Sequence, residues 1–95
     1  MSVKVVILRR VPAEKAQVLK PLLIKLRSLA LEQPGYISGE TWISRDNPEE
    51  ALVISNWDSE REWDAWLSHT EREKVQSEID GLLGRRTRYQ VYYAG

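Results

Sequence analysis

The sequence contains no cysteine and a single histidine, and these two scarcities remove much of the catalytic repertoire. Disulfide staples, thiolate nucleophiles and zinc–sulfur sites are excluded, and one imidazole builds no multi-histidine metal centre within a chain. An excess of charge of one sign is also missing, since 14 Lys plus Arg balance 14 Asp plus Glu. A nucleic-acid partner recruited by bulk charge is therefore not expected. Neither is a membrane span or a disordered chain, given 42% hydrophobic and 29% charged residues. The start, Met1-Ser2-Val3-Lys4, enters a short apolar run without the basic segment, long apolar core and cleavage site of a secretory signal. This predicts a cytoplasmic protein. No Gly-x-Ser-x-Gly elbow, no Gly-x-x-x-x-Gly-Lys loop and no acidic residues at metal-ligand spacing occur, so hydrolase chemistry, nucleotides, metals and other cofactors are not expected.

What is present is 95 residues, enough for one domain spanning 1–95. Val3 to Val11 is β-branched and stopped near Pro12, which predicts a strand with Val3, Val5 and Ile7 on one face and Val6 and Leu8 on the other. Ala13 to Glu32 switches to a helical period through Ala16, Leu19, Leu23, Leu26 and Ala30, with a kink or restart expected at Pro21. Gln33-Pro34-Gly35 ends that helix. Tyr36 to Arg45 and Ala51 to Trp57 read as a hairpin around Asp46-Asn47-Pro48-Glu49. Ser59 and Glu62 have capping-box spacing before a helix carrying Trp63, Trp66 and Leu67. Thr70 and Glu73 repeat that signal before Val75, Ile79 and Leu82, so the helical region breaks near Ser68-His69 and ends at Gly81 and Gly84. Arg86 to Tyr93 alternates as a last strand, with Tyr89, Val91 and Tyr93 on one face.

Strand, helix, strand, strand, helix, strand is the ferredoxin-like split βαβ order, an α+β class with one antiparallel sheet and helices on one face. The other face stays substantially apolar, and a chain this short has no helix left to cover it. A second copy, sheet against sheet, is the expected cover, giving a homodimer. The alternative is a half-exposed sheet in a monomer.

Two segments carry a family resemblance that extends over nearly the whole chain. Gln33-Pro34-Gly35-Tyr36-Ile37-Ser38-Gly39-Glu40-Thr41 resembles the proline-glycine turn into strand two of antibiotic biosynthesis monooxygenase domain proteins, and Ser55-Asn56-Trp57-Asp58-Ser59-Glu60-Arg61-Glu62-Trp63 resembles their strand-end tryptophan leading into a capped helix. The resemblance implies a dimeric α/β barrel of ferredoxin-like subunits, each with a pocket between sheet and helices. Some members oxidise phenolic or quinol-like polycyclic compounds with molecular oxygen and neither metal nor flavin; others degrade haem; fold does not settle which. For the haem-degrading branch only Trp66 corresponds. Its strand-one asparagine meets Ile7, Leu8 or Arg9, its axial histidine meets sequence near Gln76, and His69 lies too early. Haem degradation is not expected.

Cofactor-free oxygenation of an electron-rich aromatic requires aromatic walls and polar groups that stabilise its anion. Asn56 and Trp66 are the candidate catalytic residues, with Asn56 orienting a carbonyl or phenolate oxygen. Trp57 and Trp63 are candidate apolar walls, and Tyr36 or Tyr92 a hydrogen-bonding hydroxyl. The same aromatics equally suit core packing or a dimer interface, and Asn56 suits turn chemistry. Arg9, Arg10, Arg86 and Arg88, with Arg85, are expected to converge where the first and last strands adjoin, and Arg9 and Arg88 are candidate substrate ligands for a carboxylate or phosphate. A solvated strand edge, or pairing with Glu40 or other acids across a dimer, is the alternative. Two functions follow: a monooxygenase acting on a hydrophobic aromatic or quinol-like molecule, or a noncatalytic dimeric binding or stress-related module of the same fold.

Overall fold

Alternation in the first strand sets the architecture. The computed structural model describes all 95 residues, Met1–Gly95. Strand β1 (Val3–Arg10) buries Val3, Val5 and Arg9 and turns Lys4, Leu8 and Arg10 to the opposite, exposed side. It lies between β3 (Glu50–Trp57) and β4 (Arg88–Tyr93), antiparallel to both, and β2 (Tyr36–Ile43) closes the order β2-β3-β1-β4. This is the ferredoxin-like arrangement, with β1 central as its two apolar faces require.

After Pro12 a single 3₁₀ turn (Ala13–Lys15) leads into helix α1 (Ala16–Leu31). No restart occurs at Pro21. The helix runs through it, with Pro21 itself on the exposed side, while Leu19 and Ala30 are buried beneath. Ala16, assigned by period to the core face, is exposed, because it sits where the 3₁₀ turn hands over to the α-helix. Gly35, at φ 84°, makes the reversal into β2.

Helix α2 (Glu60–Leu67) starts on Ser59, whose hydroxyl accepts the Glu62 amide at 3.3 Å. Helix α3 (Thr70–Leu83) starts one residue earlier than the Thr70 signal implies: His69 is the cap, its Nδ1 accepting the Glu71 amide at 3.2 Å. Gly81 lies within α3, and only Gly84, at φ 70°, ends it. The last strand begins at Arg88 rather than Arg86.

The helices cover one face of the sheet over two apolar groups. Val3, Val5, Ala30, Trp57, Trp63 and Trp66 form one; Leu19, Val75, Ile79 and Leu83 form the other. No helix is long and apolar enough to cross a membrane. The uncovered face carries Leu8, Trp42 and Tyr92, all exposed, beside half-buried Val6, Leu52 and Ile54.

Candidate functional site: a cavity between sheet and helices

A cavity of about 250 Å³ lies beside the first apolar group, lined by its Ala30, Trp57, Trp63 and Trp66 and walled by all four strands and three α-helices. Its exposed lining residues, Ile24 and Arg27 of α1 and Thr41 of β2, place the mouth between that helix and the edge strand. The volume is less than twice the ~150 Å³ of an apolar cavity that takes up benzene, so it suits a compact molecule of one or two rings.

Trp57, Trp63 and Trp66 all line it. Trp57 points inward because it opposes Val3, a buried, inward-facing residue of β1. Trp63 and Trp66 stand three residues apart on α2 and share its buried face. An edge-to-face series runs Tyr36, Trp57, Trp63, with centroid separations of 5.3 and 5.8 Å, and Tyr89 continues it at 5.8 Å from Trp63. Trp57 donates its indole N–H to Ser55 Oγ at 3.2 Å.

Tyr36 reaches this wall through an irregularity. The β2–β3 register shifts between Tyr36 and Ser38, so Tyr36, Gly39 and Thr41 all face inward. Gly39 leaves room for the Tyr36 ring in this position, since a Cβ would lie 2.6 Å from the Tyr36 hydroxyl and displace it.

Three of the residues expected at the site lie elsewhere. Asn56 precedes inward-facing Trp57 in a strand and therefore faces the uncovered side, where Lys4 Nζ donates to its Oδ1 at 2.8 Å and its Nδ2 donates to Ser38 Oγ at 3.0 Å. Tyr92 opposes Lys4 on that same side. Arg88 lines a second hollow at the sheet end with Arg9, Arg10, Arg85 and Arg86, and all of these but Arg9 are exposed, so the convergence exists but is largely solvated. Arg10 also lies 3.7 Å from Glu49. His69 caps α3 and lies 5.6 Å, ring to ring, from Trp66.

Arg9 alone of these five arginines is buried, and it borders both hollows. It continues the inward series Val3, Val5, Ile7 and enters the cavity wall, 8% exposed. Its Nη2 donates to Gln76 Oε1 at 3.3 Å, and its Nε has no partner. Gln76 is fixed in turn: its Nε2 donates to Asp80 Oδ1 at 2.8 Å and Thr87 Oγ1 at 2.7 Å. Sequence reasoning missed Arg72, Gln76 and Tyr89 as site residues, although Arg72 and Gln76 occur at helical spacing with Val75, Ile79 and Leu83, the buried face of α3. Arg72, 6% exposed, donates to the Leu67 carbonyl at 2.9 Å and to the Tyr89 hydroxyl. Burial pushes the Tyr89 phenol up from its ordinary value, against the opposing fields of Arg72 and Arg9. Burial pulls the Arg9 guanidinium down; Tyr89 and Asp80 oppose this, and Arg72 adds to it. The lining holds three arginines and no Asp, Glu or His. No cluster of three His, Cys, Asp or Glu with metal-binding arrangement occurs in the chain.

Comparison with known proteins supplies the context. Similar folds include a conserved protein from Methanosarcina mazei Go1, 21% identical over 100% of this chain and 94% of that one with TM-score 0.90. Rv0793 from Mycobacterium tuberculosis is 17% identical, covering 100% and 96%, with TM-score 0.84. SnoaB, a cofactor-independent oxygenase from Streptomyces nogalater, is 15% identical, covering 99% and 93%, with TM-score 0.80. These likenesses establish the ferredoxin-like fold. Among curated proteins none matches the chain. Residues 2–78, most of the chain, match the antibiotic biosynthesis monooxygenase family, and the chain belongs to that family.

Proposed function

We propose that the protein is a cofactor-independent monooxygenase that oxidises a compact aromatic or quinol-like molecule in the cavity of each subunit of a cytoplasmic homodimer. The observation that carries this reading is the aromatic-walled cavity with two buried guanidinium groups in a chain of this family. SnoaB, with the same fold, is a cofactor-independent oxygenase. In the reaction an activated ring methylene loses a proton to water, the carbanion gives an electron to dioxygen and the two radicals join as a peroxide anion that takes a proton back. Loss of the second C–H proton then breaks the O–O bond, leaving one oxygen as the new carbonyl and the other as water. The sum R₂CH₂ + O₂ → R₂CO + H₂O balances without an external reductant.

Each side chain has a part in that scheme. Trp57, Trp63 and Trp66 exclude water and hold the ring plane. Arg72 fixes the Tyr89 hydroxyl, and the pair presents a donor and a positive field to oxygen that becomes anionic as the proton leaves. Homodimerisation buries the apolar outer face, including Trp42 and Tyr92. Tyr36 acts as a wall residue, whereas Asn56, Tyr92 and Arg88 have no part in the chemistry.

The test is oxygen uptake with a panel of quinols and anthrones under ¹⁸O₂. One labelled atom enters the product, and Trp66→Phe lowers the rate at least tenfold while the fold persists. If no compound alters oxygen uptake and Trp66→Phe changes only stability, the proposal fails. A noncatalytic binding module is the second reading, favoured by one observation: the lining offers no carboxylate or imidazole to take the proton.

A further inference from the structure

Arg9 is a charged side chain placed in the wall of an apolar cavity without a counter-ion. Burying a guanidinium is costly unless it is paired, yet Arg9 has one neutral partner, Gln76, and an Nε–H that reaches nothing. The amide of Gln76 cannot turn to offer anything else, because Asp80 and Thr87 hold its nitrogen and so hold its oxygen toward Arg9. Arg72 brings a second buried positive charge to the same lining, and neither arginine has an ion-pair partner there: the Asp80 carboxylate, whose field reaches Arg9, is taken up by Gln76 and Thr87 outside the lining. The group that completes this site is therefore absent from the chain itself.

We infer that Arg9 is an anion subsite and that the ligand is a compact aromatic carboxylate, its ring lying against the tryptophans and its carboxylate against the Arg9 guanidinium. This deepens the oxygenase reading and rests on the cavity being its ligand site. Two structural facts select this chemistry. Arg9 and Trp57 project from the same inner sheet face, and the Arg9 guanidinium lines one cavity with the indoles of Trp57, Trp63 and Trp66, with Ile7, Val53 and Tyr89 forming the wall between. A guanidinium also offers paired donors in a fixed fork, which matches the two oxygens of a carboxylate better than the single oxygen of a phenolate. Gln76 and Asp80 are positioning residues. They aim Arg9 and do not meet the ligand's charge.

The experiment is an anaerobic titration of the full chain, read by calorimetry and by quenching of tryptophan fluorescence, with 2-naphthoate, its methyl ester and 2-naphthol as probes. 2-Naphthoate is expected to bind at least tenfold more tightly than the ester, with 2-naphthol resembling the ester. Arg9→Met reduces that preference to less than twofold and leaves ester binding in place; Arg9→Lys, which keeps the charge but loses the fork, retains part of it. Arg61→Met, exposed on α2 and outside both hollows, keeps the full preference. Equal binding of acid and ester, a preference that survives Arg9→Met, tighter binding of 2-naphthol than of 2-naphthoate, or no binding of any probe overturns the inference. Oxygen being absent, the result is independent of turnover. A retained acid preference beside a failed oxygen-uptake assay sinks the oxygenase reading alone.

Discussion

Tyr89 shows how one side chain couples the cavity to the stability of the fold. Its phenol is raised above its ordinary value of 10.0 by burial, so the folded chain keeps a proton that the unfolded chain gives up. Its contribution to stability is fully present below pH 10 and is lost as pH rises through the higher folded value. Urea unfolding measured from pH 8 to 11 should show this alkaline decline, and Tyr89→Phe should flatten it. The tryptophans of the site were legible residue by residue, because a strand-end Trp57 and two indoles three apart on a capped helix point one way. The inward turn of Arg9 was available in period two, which continues Val3, Val5 and Ile7 to it and away from Arg10, but the expected convergence of Arg9 with Arg10, Arg86 and Arg88 passed over it. The same period excludes Asn56, which cannot share a face with adjacent Trp57. Arg72 and Gln76 carry a fainter signal, being polar residues on an otherwise apolar helix stripe.

At the level of the element, local chemistry decided most boundaries. Ser59 satisfies a free amide at the start of the helix that carries Trp63 and Trp66. Ser59→Ala is therefore expected to cost about 1 kcal/mol in urea unfolding and, by fraying the first turn, to weaken probe binding. The order of strands and helices was readable from apolar period and punctuation. Two details were not. The unbroken passage of α1 through Pro21 depends on packing of the helix against α3 and the sheet, which outweighs a local preference. The irregular pairing at Ile37 depends on the neighbouring strand, and it alone swings Tyr36 to the inner side. Gly39 follows from it. Gly39→Ala should displace the Tyr36 ring, since the added carbon would meet its hydroxyl, and a changed tryptophan emission on probe binding would report it.

For the whole molecule, the imbalance between the two sheet faces dominates. The shortest extent of the chain is 19 Å, the thickness of two layers, and only 15 of 95 residues are buried, so one layer leaves its back uncovered. Ile54→Asp, at the centre of that back, is expected to convert a sedimenting dimer into single chains while circular dichroism stays unchanged. Wild-type protein that sediments as single chains at micromolar concentration would remove the basis for the dimer. The strands β1 and β3 serve both sides at once, odd residues turned to the cavity and even ones to the uncovered face. Inserting or deleting a single residue in either would exchange the two audiences of the strand, sending valines outward and Lys4 or Glu50 inward. Such strands tolerate a change of side chain far more readily than a change of length, and natural variation in spacing should be confined to the turns.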